Sequence, residues 1–136
     1  MINSTSDTLS FYQKTLEGLW TRNEVISNNI ANSESEGYLA KDINFEKVIN
    51  EYLSASKTDY KSEINPEDIK YRIQHQRGLD VKSNGNNVDI DKEMVSLAEN
   101  QMKYDLASQA MKFQLNLINT VLSESKGWFR WILLKH

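Results

Sequence analysis

The chain has 136 residues, 39% apolar and 26% charged, which suits one domain with a modest core. Its charges are interspersed, with a net charge of −3, and they lack the dense basic footprint of a nucleic-acid binder. There is no cysteine, which excludes disulfides, thiolate metal sites and a cysteine nucleophile.

The opening stretch MINSTSDTLS has neither a basic n-region nor an apolar run, so no conventional cleavable signal peptide is expected. Leu9, Tyr12, Leu16, Leu19, Ile26 and Ile30 then recur at steps of three and four, with Asn23 in the vacant place. That spacing predicts a helix over 9–30 with a heptad seam, and Ser6 and Asp7 suit its first turn. The helix runs into the string ISNNIANSESEGY. Asparagine side chains can bond backbone groups where a helix unwinds, Gly37 permits a tight bend, and Tyr38 returns the chain to apolar surface. The string therefore reads as a helix exit of fixed geometry, closing a unit of residues 1–38.

The middle, 39–83, is different in kind. A short helix is expected within 39–56, with Ile43, Val48, Ile49, Tyr52 and Leu53 as its apolar members. Residues 57–80 contain the only proline, Pro66, and alternate at Tyr71-Arg72-Ile73-Gln74, which suits a loop or short strands. Ser83-Asn84-Gly85-Asn86-Asn87 is a strong turn, with Asn-Gly able to take positive φ.

Past that turn a second helix is predicted over 91–122, within a unit of residues 84–126. Asp91 is read as its N-cap, with Glu93 in the first turn. Met94, Leu97, Tyr104, Met111, Leu115, Ile118 and Leu122 form its seam, with Gln101 and Ser108 in the polar places. Ala98, Ala107, Ala110, Phe113, Leu117 and Val121 widen the stripe beyond what a two-helix hairpin buries, which implies further helical neighbours. Lys126-Gly127 reads as the helix end. The aromatic tail 127–136, with Trp128 and Trp131, suits packing on a partner, folding back, or a membrane interface. The fold class is thus mainly α: long terminal helices pair as a hairpin or coiled coil, with a small irregular or weakly β middle.

No constellation of catalytic, cofactor-binding or metal-ligating residues emerges. His75 and His136 belong to no ligand spacing. Asp89, Asp91 and Glu93, with Asn84, Asn86 and Asn87 nearby, do not match an EF-hand, and a turn followed by a helix start explains them.

Both helix junctions carry a resemblance. Asn28, Asn29, Ile30, Ala31, Asn32, Gly37 and Tyr38 close the first helix, while Val88, Asp89, Glu93, Met94, Asn100, Gln101 and Tyr104 open the second. Together they resemble the axial proteins of the bacterial flagellum, within that group its proximal rod proteins, over residues 1–56 and 84–122. That family commonly has Thr-Pro before Gly-Tyr, where this chain has Ser35-Glu36 and so lacks proline's fixed φ. The resemblance implies a non-enzymatic structural subunit of the basal-body rod that transmits motor torque. Its terminal helices would self-assemble and stack with other rod proteins and the inner-membrane base of the flagellum. It would lie in the periplasmic rod, exported by the flagellum's own secretion apparatus. Another axial component, or a helical export chaperone or adaptor, is the alternative. Neither nucleic acid nor a cofactor is expected.

Overall fold

A computed structural model describes residues 2–55, 66–76 and 81–133, with side chains placed for 6–54, 66–76 and 81–123. Two long helices, α1 (Ile2–Ala31) and α3 (Ile90–Leu133), pack antiparallel. Between them in sequence come β1 (Lys41–Ile43), α2 (Phe45–Ala55), a 3-10 turn (Pro66–Asp68) and β2 (Ile73–His75). The two strands pair antiparallel, with Ile43 opposite Ile73 and Lys41 opposite His75. The predicted fold class holds. Ile43, expected on the short helix, instead lies in β1, because α2 starts only after Asn44, whose carbonyl accepts the Val48 N–H. Of the loop or short strands expected over 57–80, residues 57–65 and 77–80 lie outside the described residues, as do the tail residues 134–136 and the tail's side chains.

α1 begins at Ile2, ahead of the Ser6-Asp7 start read from sequence; residues 2–5 contain no glycine or proline to hold it back. Leu19 and Ile26 are fully buried, and Leu9, Tyr12, Leu16, Asn23 and Ile30 are partly so.

α3 is a half-correct reading. Leu97, Tyr104, Met111 and Ile118 face inward, but the alternate inward places belong to Glu93, Asn100, Ala107 and Gln114. Met94, Gln101, Ser108 and Leu115 lie one residue further on, about 100° round the helix, and are exposed. Hydropathy prefers methionine to glutamate at such a place, yet Glu93 and Asn100 find hydrogen-bond partners across the helix pair that offset their burial. Leu122 is exposed because α1 has ended: the register set by Leu19 and Asn100 brings Ile2 level with roughly residue 117. Two boundaries also shift. Asp89, rather than Asp91, caps the helix, accepting the Lys92 N–H at 3.3 Å. The helix also passes through Gly127 to Leu133, since an interior glycine costs about 1 kcal/mol without stopping a helix.

The middle region rests on α1. Leu19, Val25, Ile43 and Phe45 form the buried cluster, with Ile49, Tyr71, Tyr104 and Ala107 packed on it. The Arg22 guanidinium donates to both Asp42 oxygens at 3.1 and 3.2 Å and to Glu46 at 2.8 Å, and Lys103 reaches the same Glu46 oxygen at 2.8 Å. Partial burial opposes the charge on Glu46, but Lys103 and Arg22 outweigh it and hold the carboxyl below its ordinary range. Tyr52 stacks on Phe11 at 4.5 Å, drawing α2 onto α1. Tyr71 lays its ring on Gly18 and stacks against Phe45 at 5.7 Å. A Cβ at position 18 would meet that ring inside 3.0 Å, which is why a glycine sits mid-helix. The Tyr71 hydroxyl is buried without a partner, and burial, then the Glu17 charge, pushes it up to about 12.

Gly18→Ala is expected to destabilise by about 1–3 kcal/mol, although alanine favours a helix by about 1 kcal/mol. In a Tyr71→Ala background the same change should become stabilising; urea unfolding of the four variants measures the reversal. Tyr71→Phe should cost no stability, since it removes an unpaired buried hydroxyl. The raised phenol also sets a pH dependence. Its contribution is full below the ordinary value of 10.0 and is lost as pH rises through about 12, because the unfolded chain ionises first. Denaturation midpoints between those pH values should fall less steeply in the phenylalanine variant.

Candidate functional site

The end of α1 is held by side-chain amides. The Asn32 N–H closes the last helical turn on the Asn28 and Asn29 carbonyls, Ser35 N–H bonds the Asn32 carbonyl, and Gly37 turns the chain at φ 68°. Asn29 is completely buried. Its Oδ1 accepts from the Lys41 N–H at 3.0 Å and the Tyr38 hydroxyl at 3.2 Å. Its Nδ2 donates to the Lys41 carbonyl at 2.7 Å and to Glu93 Oε2 at 3.1 Å. One amide therefore serves both backbone groups of Lys41, as a neighbouring strand would, and fills all its own capacity.

Glu93 projects from the first turn of α3 into the same place and is nearly fully buried. Its other oxygen accepts from Gln76 Nε2 at 3.1 Å, and it makes no ion pair among the described residues. The Tyr38 phenol is pushed up by burial and then by the Glu93 charge, so it stays a donor to Asn29. Lys41 Nζ lies 5.8 Å from the centre of the Tyr38 ring.

A second amide cluster locks the turn before α3 onto the turn after α1. Asn86, also fully buried, donates to the Asn32 and Ser35 carbonyls at 2.8 Å each and accepts the Val88 N–H at 2.7 Å. Asn87 accepts the Ala40 N–H at 2.6 Å, and Gly37 N–H bonds the Asn84 carbonyl at 2.9 Å. Gly85, at φ 80°, lies against Gly37, so a Cβ on it would stand 3.3 Å from the Gly37 Cα. Asn86 thus holds the turn at Ser35-Glu36, where no proline fixes φ. Further along, Asn100 Nδ2 donates to the Leu19 carbonyl at 2.8 Å and ties α3 to the middle of α1.

The residues singled out from sequence therefore divide. Asn29, Asn32, Gly37, Tyr38, Val88 and Glu93 converge on one hydrogen-bonded clasp, and Asn100 extends it. Asp89 caps α3 and, held below its ordinary range by Lys92, stays ionised there. Asn28, Ala31, Met94 and Gln101 face outward, Ile30 and Tyr104 sit half-buried on the seam. The exit was expected to use local bonds, and Asn32 does donate to the Asn28 carbonyl at 2.8 Å, but Asn29 acts at long range. Asn86, Asn87 and Gln76 were missed as clasp members. A second asparagine group just before a helix, mirroring the first, was the signal for two of them. Among the described residues no group of three histidines or carboxylates gathers as a metal site.

Outside the clasp, α3 carries an open apolar line. Val95, Met102, Leu106, Phe113 and Leu117 are 47–70% exposed and recur at steps of seven and four. That is an eleven-residue repeat, which keeps the line within an arc of roughly 60° on a straight helix.

Asn29→Ala is expected to lose about 2–5 kcal/mol, because it strands two backbone groups and a buried carboxylate. Asn28→Ala, at an exposed place in the same motif, should stay within about 0.5 kcal/mol. Parallel urea titrations of the two variants check the contrast.

No protein-family model matches the chain. It is similar to the flagellar basal body rod protein FlgB of Bacillus subtilis, 35% identical over 125 residues, covering 89% of this chain and 97% of that protein. The same-named protein of Borreliella burgdorferi is 32% identical over 134 residues, covering 89% of this chain and 99% of the relative. That of Escherichia coli is 29% identical over 138 residues, covering 90% and 97%. With near full-length similarity on both sides, this chain belongs to the FlgB family of flagellar basal body rod proteins.

Proposed function

We propose that the chain is a structural subunit of the flagellar basal-body rod, joined to its neighbours through its terminal helices and passing motor torque along them. The observation that carries the assembly mode is the open line on α3. Five large apolar side chains at helical spacing stay in water in the free subunit. Covering them with a neighbouring helix would return roughly 1.5–3 kcal/mol for each side chain fully buried. The clasp supports the mechanical role. It joins two helices by mutually filled hydrogen bonds, and a stiff elbow transmits a twist that a loose loop would dissipate.

The reading is non-enzymatic: the polar groups gathered in the clasp are engaged in holding backbone, not left free to meet a substrate. Its neighbours are other rod proteins and the inner-membrane base, in the periplasmic part of the flagellum, reached through the flagellar export apparatus. An export chaperone would use similar amphipathic helices, but the family membership weighs against it.

Deletion of the gene, scored by electron microscopy of isolated basal bodies, should leave the inner-membrane base without rod or filament, and the intact gene should restore both. A Leu106→Glu/Phe113→Glu variant should fold with an unchanged melting temperature yet fail to restore them. Normal flagella in the deletion strain would overturn the rod reading. Full restoration by the double variant would overturn the assembly face.

A further inference from the structure

A cleft of about 370 Å³ opens between α1 and α3, with Trp20, Asn23, Asn100, Gln101, Tyr104 and Asp105 in its wall. Among the described side chains of α1, Trp20 is the large apolar one that stands most in water, 60% exposed. Asp105 makes no ion pair among the described residues, and no base lines the cleft. Behind them Asn100 has its nitrogen fixed on the Leu19 carbonyl, while its buried Oδ1 has no donor. An unpaired carboxylate, a free indole and the negative end of an unsatisfied amide favour one class of occupant. It is a planar cation with several N–H donors, which stacks on tryptophan and pairs with a carboxylate.

The same chain presents such a group on its other side. Tyr71 packs on Gly18 of α1, and its chain neighbours Lys70 and Arg72 stand at the surface on that flank, Arg72 lining an open pocket with Asp42, Glu46 and Lys47. Both are exposed and make no ion pair among the described residues. Trp20 lies two residues from Gly18, about 200° round the helix, which puts the cleft on the opposite flank. Complementary patches on opposite flanks cannot satisfy each other within one subunit. They make a head-to-tail contact, the kind that propagates into rings or helical filaments.

The geometry points to a contact in which Arg72 of a second copy of this chain enters the cleft, its guanidinium on the Trp20 indole and paired with Asp105. This rests on the rod-subunit reading and names the lateral contact between copies. The test is charge reversal in the full chain, with Asp105→Arg, Arg72→Asp and the two combined, followed by sedimentation of the purified proteins. Both sites are exposed, so circular dichroism and melting temperature should match wild type. Each single change should weaken self-association at least about tenfold, and the combination should restore it to within about threefold. A single variant that associates normally, a combination that fails to recover, or a wild-type chain that stays monomeric throughout would overturn the contact. The deletion strain separates the two ideas. Lost rods with failed charge rescue sink only this contact, whereas intact flagella sink the rod reading whatever the sedimentation shows.

Discussion

One amide organises the structure. Asn29 takes the N–H and carbonyl of Lys41 and donates to Glu93, so the end of α1, the strand β1 and the start of α3 meet at a single side chain. Everything else follows from that junction being fixed. With the exit of α1 and the entry of α3 locked, the helices have no choice but to run back along each other. Leu19 and Ile26 then meet the inner row of α3. The buried Glu93 carboxylate is tolerable only because Asn29 and Gln76 bring it donors. The clasp is thus costly to break from either side, which suits a joint more than a hinge.

Burial in this fold is divided between the chain and what it meets. The internal core is small, centred on Leu19, Val25, Ile43 and Phe45. The apolar side chains of α3 outnumber what α1 can cover. A soluble monomer gains little from such a surplus and risks aggregation. A rod subunit whose open line is covered would gain its remaining stability from neighbours, and the eleven-residue repeat of that line favours a partner helix wound round α3 in a shallow right-handed sense.

Periodicity made much of this legible. Steps of three and four gave both helices and the inward face of α1, and Asn-Gly at 84–85 gave the positive φ that the turn adopts. The misreading of α3 came from ranking residues by hydropathy. Met94 and Leu115 look like seam residues until the partners of Glu93 and Asn100 are known, and those partners lie 64 and 81 residues away in sequence. Long-range hydrogen bonds leave no trace in local spacing. For the same reason Asn29 was legible as a motif member, while its exchange with Lys41 was not. Gly18 passed unnoticed because its reason is the Tyr71 ring, which comes from the least regular part of the chain.

Native-state hydrogen exchange on the isolated chain tests the clasp most directly. If it is the joint on which the fold depends, the amides of Asn32, Gly37, Lys41, Asn87 and Glu93 should exchange only with global unfolding. Those of Asn119–Ser123, past the end of α1, should exchange faster. Clasp amides exchanging as quickly as the overhang would show that the junction opens freely, and the helices would then have to be held by their seam alone.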